Sequence, residues 1–599
     1  MGNITEYLEQ LRTSMKQHNV QAYLVCTDDF HGSEYVGDYF KVRQFLSGFT
    51  GSAGTLVVLE REAALWTDGR YFLQAAVQLE GTTIELMKMG QPGVPTIEQY
   101  LLDKLNSHDT IGFDGRTTTA AFIQSIKDVV ISKNLSFAWD MDLAHNIWKD
   151  RPELSKEPIW ELDVAYAGLP REDKLNHLRS SMTELGADVF ILTSLDEIAW
   201  LLNLRGNDVK CSPVFLSYML CYQDRAVLYL NESIVNDEIK AKLNMAKVSL
   251  KPYDTFYEDI TKLPSQSKVL MDSTKANYMA KMSLPKDAVV IDAVSPITLQ
   301  KAIKTENEIR NTRIAHMKDG VAVTRFMYWL KHNIGKIAIT ELSAAEVLEG
   351  FRKEQEDYLG ASFDPIMAYG PHGAIVHYSA TEESNSYLEP RSLFLVDTGG
   401  HYLQGTTDIT RTFALGEPTK EEKKAFTLPL IGHLNLGAVK FPHGIAGGNL
   451  DAIAREPLWR YGMDYNHGTG HGVGYLLNVH ESPNCFRWQL SNPNTHTVFE
   501  PGMITSNEPG LYLTGKFGIR HENLVVCQTA EETEFGTFLH FENLTMVPFD
   551  LDAVDTTYMT VHEVELLNAY HSQVYETISP YLNAEEKNWL SYATRPLVK

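Results

Sequence analysis

The stretch L-F-L-V-D-T-G-G, Leu393 to Gly400, runs into H-Y-L-Q-G-T-T-D-I-T-R-T-F, His401 to Phe413. An apolar run ends in a carboxylate, Asp397, and a second carboxylate, Asp408, stands eleven residues later across Gly399-Gly400. That pattern reads as an antiparallel hairpin able to bring both acids to one place. Three more chemistry-bearing residues follow: His471 in H-G-T-G-H-G-V-G (His467 to Gly474), Glu508 in the strand I-T-S-N-E-P-G, and Glu522 in the strand I-R-H-E-N-L-V-V. Carboxylates inside runs that otherwise read as buried are costly unless paired or metal-bound. Any one of them alone is an ordinary turn or surface residue; the five together mark a site.

Charge sets the number of cations. Asp397, Asp408, Glu508 and Glu522 carry −4, so one divalent ion leaves −2 and two neutralise the set. An oxygen-rich set with a single imidazole favours Mn²⁺ over an all-His or Cys zinc site, with Zn²⁺ and Co²⁺ left open. Other chemistries are absent from the sequence: there is no HExxH, no GxSxG, no GxxxxGK[ST] and no GxGxxG in a strand-to-helix setting.

Upstream, L-x-x-L-R-x-S-M at Leu8 to Met15 recurs at Leu175 to Met182, an offset of 167. Each copy reads as an amphipathic helix followed by an apolar strand, Ala22 to Thr27 and Val189 to Ser194, with an Asp just beyond, Asp29 and Asp196. Later the offset falls to 155, between F-L-S-G-F-T-G ending at Gly51 and W-L-L-N-L-R-G ending at Gly206. Two related α/β domains follow from this order. The charged, Pro-containing stretch Trp148 to Pro158 separates them, and a second break falls near Ser295-Pro296. Lys301 to Leu330 reads as one long helix and Thr340 to Glu356 as another, after which strands alternate with Gly-rich turns. The predicted organisation is residues 1–158, 159–299 and a larger α+β domain over 300–599.

The chain has 599 residues, with 53 Lys+Arg against 77 Asp+Glu, a net charge of −24, and 44% hydrophobic residues. That supports several folded domains and argues against nucleic acid and anionic membranes as partners. The 5 cysteines are few, odd in number and without a CxxC pair, which suits a reducing, cytoplasmic compartment. The N-terminus lacks the basic start and apolar stretch of a signal peptide, and no apolar run approaches the ~18 residues that cross a bilayer.

The order Asp397, Asp408, His471, Glu508, Glu522, with N-E-P-G and I-R-H-E-N around the two glutamates, resembles the pita-bread metallopeptidases. Within them the chain is similar to the three-domain, cytosolic-type Xaa-Pro aminopeptidases. W-T-D-G-R-Y-F at Trp66 to Phe72, L-D-E-I-A-W-L at Leu195 to Leu201 and a C-terminal block from Tyr570 to Pro596 extend the likeness over almost the whole length. The resemblance implies two creatinase-like α/β domains before a pita-bread catalytic domain. It also implies a homodimer that releases one residue from peptides with an N-terminal Xaa-Pro. Asp397 would hold one metal, His471 and Glu508 the other, and Asp408 and Glu522 both, around a shared hydroxide that is the nucleophile. Glu508 is the candidate to move its proton.

His377, His467 and His480 match the family's three non-ligand histidines. His467 or His480 suits an oxyanion donor, and His377 suits the proline pocket or the orientation of the peptide. Arg520, on the same strand face as Glu522, suits a partner that holds Asp397 ionised. Arg70 resembles a residue that reaches substrate from outside the catalytic domain; its other reading is a turn held with Asp68. Two further functions stay open. A prolidase would cleave only dipeptides, and a non-catalytic pita-bread binding module would typically lack the ligands that this chain keeps.

Overall fold

The computed structural model describes residues 4–489 and 492–599. The chain divides into two compact units, Met1–Thr298 and Leu299–Lys599. The first contains two six-stranded sheets. One has the order Ile84–Lys88, Ala63–Thr67, Thr55–Leu59, Ala22–Cys26, Thr110–Gly112, Ser136–Ala138. The other has the order Val248–Pro252, Ala226–Leu230, Tyr218–Tyr222, Val189–Leu192, Lys268–Met271, Val289–Asp292. Across each sheet the junctions run parallel, antiparallel, antiparallel, parallel, parallel. The repeat read from the sequence is therefore a repeat of topology.

The recurring motif has a physical cause. Leu8, Leu11 and Met15 are the buried residues of helix Ile4–Gln17, and Leu175, Leu178 and Met182 occupy the same steps of helix Arg171–Glu184. Spacings of three, four and seven put them on one face against the sheet. All five cysteines are free thiols.

The second unit is mixed and mostly antiparallel. The expected helix Lys301–Leu330 is in fact two, Pro296–Ala302 and Glu306–Asn333. The break is chemical: Thr305 accepts from the Glu308 backbone while the Glu308 carboxylate accepts from the Thr305 backbone, a capping box that starts a new helix. Strand Leu393–Thr398 pairs antiparallel with Ile409–Ala414 on one side and Ile366–Tyr369 on the other. A six-stranded sheet runs Lys440–Pro442, Gly536–Asn543, Asn523–Thr533, Ile504–Asn507, Gly470–Gly472, Glu481–Phe486. Phe517–Arg520 pairs separately with Gly510–Leu513. Helix Val561–Ile578 is no loose tail, because Val564, Leu567, Tyr570 and Val574 share a core with Phe426 and Ile431 of helix Lys420–Gly437. Among the described residues no helix is long and apolar enough to cross a membrane.

Arg411 joins these parts. Its Nη1 donates to the carbonyls of Thr410 (2.8 Å) and Glu522 (2.6 Å), and Nη2 to Asn523 Oδ1 (2.7 Å), the Val547 carbonyl (2.8 Å) and Tyr570 Oη (2.9 Å). The guanidinium lies 4.0 Å from the centre of the Phe549 ring. Arg411→Met leaves these buried acceptors without their donor, at a cost of about 3 kcal/mol or more. A lowered denaturant midpoint for the unit that holds Leu299–Lys599 is the expected outcome, and an unchanged midpoint refutes it.

Candidate metal centre

Asp397 lies within strand Leu393–Thr398, but the other three acids stand where strands stop. Asp408 immediately precedes Ile409–Ala414, Glu508 follows Ile504–Asn507, and Glu522 falls in the gap between Phe517–Arg520 and Asn523–Thr533. The sequence reading placed Glu508 and Glu522 inside strands. The difference has a cause: the Glu508 N–H donates to Thr469 O (2.8 Å) and the Glu522 N–H to Thr410 O (3.1 Å), so each backbone leaves its own ladder to bond elsewhere.

His471 is on the short strand Gly470–Gly472. The flanking glycines give room for neighbouring backbone. A Cβ on Gly470 would sit 1.8 Å from the Ser506 carbonyl, and one on Gly472 2.3 Å from the Glu481 carbonyl. Only glycine lets the strand pack that closely.

The five side chains converge. Ligand atoms of Asp408, His471 and Glu522 all lie within 4.8 Å of one another. His471 Nδ1–H donates to the Gly472 carbonyl (2.9 Å), which fixes the tautomer and turns Nε2 toward Asp408 Oδ2 (3.4 Å) and Glu508 Oε1 (3.5 Å). Thr410, directly across the ladder from Asp397, donates its hydroxyl to Glu522 Oε2 (2.7 Å). Ser506 Oγ donates to Glu508 Oε1 (3.2 Å) and receives the His471 N–H (2.9 Å).

The electrostatics are those of an excess of negative charge in a largely buried place. Burial raises the pKa of Asp397 against the nearby Arg520 cation, with Asp408 adding to the rise. Burial raises that of Glu508 against His471 and Arg520. Glu522 is pushed well above the carboxylate range by burial and then by Asp408, Glu508 and Asp397. Burial disfavours a charged His471, but Asp408 and Glu508 outweigh it and push its pKa up to about 9. Oδ1 of Asp397 is buried and has no hydrogen-bond partner among the described residues. A partnerless buried oxygen beside three more carboxylates and an oriented imidazole is the donor set that divalent cations satisfy.

Arg520 Nη2 donates to Asp397 Oδ2, and its Nη1 donates to Tyr512 Oη (2.8 Å). His467 Nδ1–H donates to the Gly468 carbonyl (2.8 Å), so Nε2 is the acceptor and the Tyr512 hydroxyl donates to it (2.8 Å). Burial and the nearby Arg520 hold His467 neutral, well below its ordinary pKa. Tyr512 and Thr410 were missed in the sequence. The available signal was alternation, since Thr410 stands two residues from Asp408 and Tyr512 is the one polar-tipped residue of G-L-Y-L.

His480 joins the group through its ring, 4.3 Å from that of His471 and edge-on to it. His377 is half-buried just beyond the short helical segment Gly370–Ala374, next to Tyr378, whose hydroxyl donates to the buried Glu341 (3.0 Å). Arg70 belongs to the N-terminal unit. There its Nε and Nη2 grip Asp68 (2.9 and 2.8 Å), Nη1 reaches Glu34 (3.0 Å), and its own N–H closes the turn onto Asp68 (3.1 Å).

Fold and site together define a metallopeptidase. Residues 310–529 match metallopeptidase family M24 and 537–597 the C-terminal region of that family, while 8–138 and 150–308 each match a creatinase/prolidase N-terminal domain. The chain is 40% identical to "Aminopeptidase P2" of Arabidopsis thaliana, over 100% of this chain and 89% of that one. It is 37% identical to "Xaa-Pro aminopeptidase 1" of Dictyostelium discoideum, over 99% and 97%. A solved structure of X-prolyl aminopeptidase from Caenorhabditis elegans, described as a cytosolic enzyme with a di-nuclear active site, superposes with a TM-score of 0.95 at 33% identity, covering 100% of both chains. The chain belongs to the Xaa-Pro aminopeptidase family of M24 metallopeptidases, as the ligand order and the N-terminal repeats implied.

A cation that binds His471 displaces its proton to solvent. Because His471, with its pKa pushed up to about 9 by Asp408 and Glu508, holds that proton at neutral pH, affinity for a divalent cation rises with pH and levels off above about 9, where His471 is already neutral. Calorimetric titration of chelated protein with Mn²⁺ at pH 7, in buffers of different ionisation heat, is expected to register net proton release that diminishes by pH 9. Uptake that is independent of pH contradicts the arrangement.

Proposed function

We propose that this chain hydrolyses the peptide bond between an N-terminal residue and a following proline, releasing that single residue. The observation that carries the reading is the convergence of buried Asp397, Asp408 and Glu522 with partly buried His471 and Glu508, in a chain related over its full length to Xaa-Pro aminopeptidases. These five residues hold two divalent cations. The oxygen-rich set favours Mn²⁺. Bound there, the cations supply Lewis acidity and bring the pKa of a water toward neutrality.

Glu508 accepts the proton of the attacking water and delivers it to the departing proline nitrogen. Burial raises its proton affinity, which suits a carboxylate that must take and return a proton near neutral pH. The oxyanion donor is assigned to His480. His467 has its Nδ1 proton committed to the Gly468 carbonyl and its Nε2 to the Tyr512 hydroxyl, so its part is to hold that hydroxyl and, through it, Arg520.

A bond to proline has no N–H to recognise, so selection rests on the fit of the ring, a task assigned to His377 and its surroundings. Arg520 donates to Asp397 from one side and favours its ionised form against the effect of burial. The enzyme works in the cytosol as a homodimer, a reading supported by the cytosolic C. elegans relative for the compartment and by the family likeness for the dimer. Light scattering tests the dimer.

Incubation with Arg-Pro-Pro is expected to liberate free Arg. Intact tripeptide alongside cleaved Xaa-Pro dipeptides would turn the assignment to a prolidase. Glu508→Gln is expected to lower kcat by about 10²-fold or more while a non-hydrolysed peptide still binds. An unchanged kcat, with metal content matched to the parent enzyme, removes Glu508 from proton transfer.

A further inference from the structure

The segment 465–471 carries His467 and His471 and is braced from behind by helix Gly447–Trp459. Two residues one turn apart on that helix do the bracing. Arg455 is wholly buried and spends its guanidinium on four acceptors: Asp451 Oδ2 (2.7 Å), Asp464 Oδ1 (2.8 Å), and the carbonyls of Tyr465 (2.7 Å) and His467 (2.7 Å). Its plane is clamped between two rings, 3.9 Å from the centre of Tyr465 and 3.8 Å from that of Trp488. The other oxygen of Asp451, also wholly buried, receives the hydroxyl of Thr469, which in turn accepts from the Tyr465 hydroxyl. The Thr469 carbonyl takes the backbone N–H of Glu508 (2.8 Å).

These bonds form two short routes from the helix to groups of the site. One runs from Arg455 to the carbonyl of His467, the imidazole of which meets Tyr512. The other runs from Asp451 through Thr469 to the backbone of Glu508. Neither charged residue touches the cluster. A buried ion pair is seldom a net gain in stability over apolar packing, whereas it does fix geometry, because five N–H donors in a planar fork admit one arrangement of acceptors.

We propose that Asp451 and Arg455 are positioning residues for the hydrolysis, setting the orientation of His467 through its carbonyl and the placement of Glu508 through Thr469. The proposal rests on the reading that the cluster is the hydrolytic centre. Its removal leaves the five cluster side chains in the chain but loosens two groups that must be held to fractions of an ångström.

The test is a pair of coupled measurements on the metal-loaded full chain with Arg-Pro-Pro. Arg455→Lys keeps the charge and loses the fork. It is expected to lower kcat 10- to 100-fold in the parent enzyme, in line with partners that orient active-site ligands, but no more than about 2-fold in a His467→Ala background, read by single-turnover release at high enzyme concentration. Equal factors in both backgrounds overturn the His467 route, because a general loss of stability multiplies through regardless of His467.

Thr469→Val, which cannot hydrogen-bond Asp451, is expected to lower kcat at least 10-fold, and Thr469→Ser, which keeps the hydroxyl, to stay within about 3-fold of the parent. Similar rates for the two overturn the Asp451 route, and this pair decides the proposal should Arg455→Lys not fold. If the parent itself releases no Arg, the failure lies with the hydrolytic reading. A parent that does, with additive Arg455→Lys and His467→Ala and indistinguishable Thr469 variants, sinks this proposal alone.

Discussion

Four carboxylates that must share one water-poor space repel one another, and the architecture of the C-terminal unit answers that repulsion. On one strand, side chains of the same face recur every two residues, which lines acids up rather than converging them. Convergence requires acids from different directions. The chain supplies them from different strand segments, with Asp408, Glu508 and Glu522 at or beyond strand ends where the backbone is free to turn. Antiparallel pairing of Leu393–Thr398 with Ile409–Ala414 sets Asp397 opposite Thr410, and Thr410 in turn bonds Glu522 both by its hydroxyl and by its carbonyl. One ladder thus fixes the positions of acids that lie far apart in the sequence.

Direction of hydrogen bonding does as much as distance. Two histidines in H-G-T-G-H-G sit four residues apart with the same local habit, Nδ1–H to the carbonyl of the next residue. Their surroundings then separate them. His471 presents Nε2 to Asp408 and Glu508, which hold a proton on it in the absence of metal, while His467 presents Nε2 to a phenol beside Arg520 and stays neutral. Identical residues in one motif acquire opposite electrostatic character from what faces their far nitrogen.

Much of this was legible beforehand, for identifiable reasons. The repeat was visible because Leu8, Leu11 and Met15 face the core as Leu175, Leu178 and Met182 do, and burial of equivalent positions preserves a motif. The four acids of the cluster were visible because acids are out of place in strand-like runs, and His471 because it falls in the ligand order of the family that the chain resembles. The break at Thr305 was overlooked although T-E-N-E spells a capping box, since the apolar spacing continues on either side. Arg455 and Asp451 were invisible for a different reason. In a helical stretch both read as solvent-facing charges, and their burial is created by Tyr465, Thr469 and Trp488, which come from other segments. Long-range closure of that kind leaves no trace in local periodicity.

The same strand ends that allow acids to converge also create a difficulty, and it explains the buried arginines. Where a strand stops in the interior, its last carbonyls lose their ladder partners and, away from water, need other donors. Arg411 supplies them to Glu522 and Val547, which lie outside the strands, and adds a second bond to the Thr410 carbonyl, while Arg455 supplies them to Tyr465 and His467 ahead of strand Gly470–Gly472; both arginines are fully buried. Lysine has three donors on one point and no plane; the guanidinium fork reaches several carbonyls in fixed directions and stacks on Phe549 or between Tyr465 and Trp488 as it does so. The formal charge of −24 describes the whole chain, but it hides an interior in which clustered acids are accompanied by buried arginines that satisfy carbonyls of the segments around them. Burial of the arginines follows from one requirement, that carbonyls without a ladder partner in the interior find another donor.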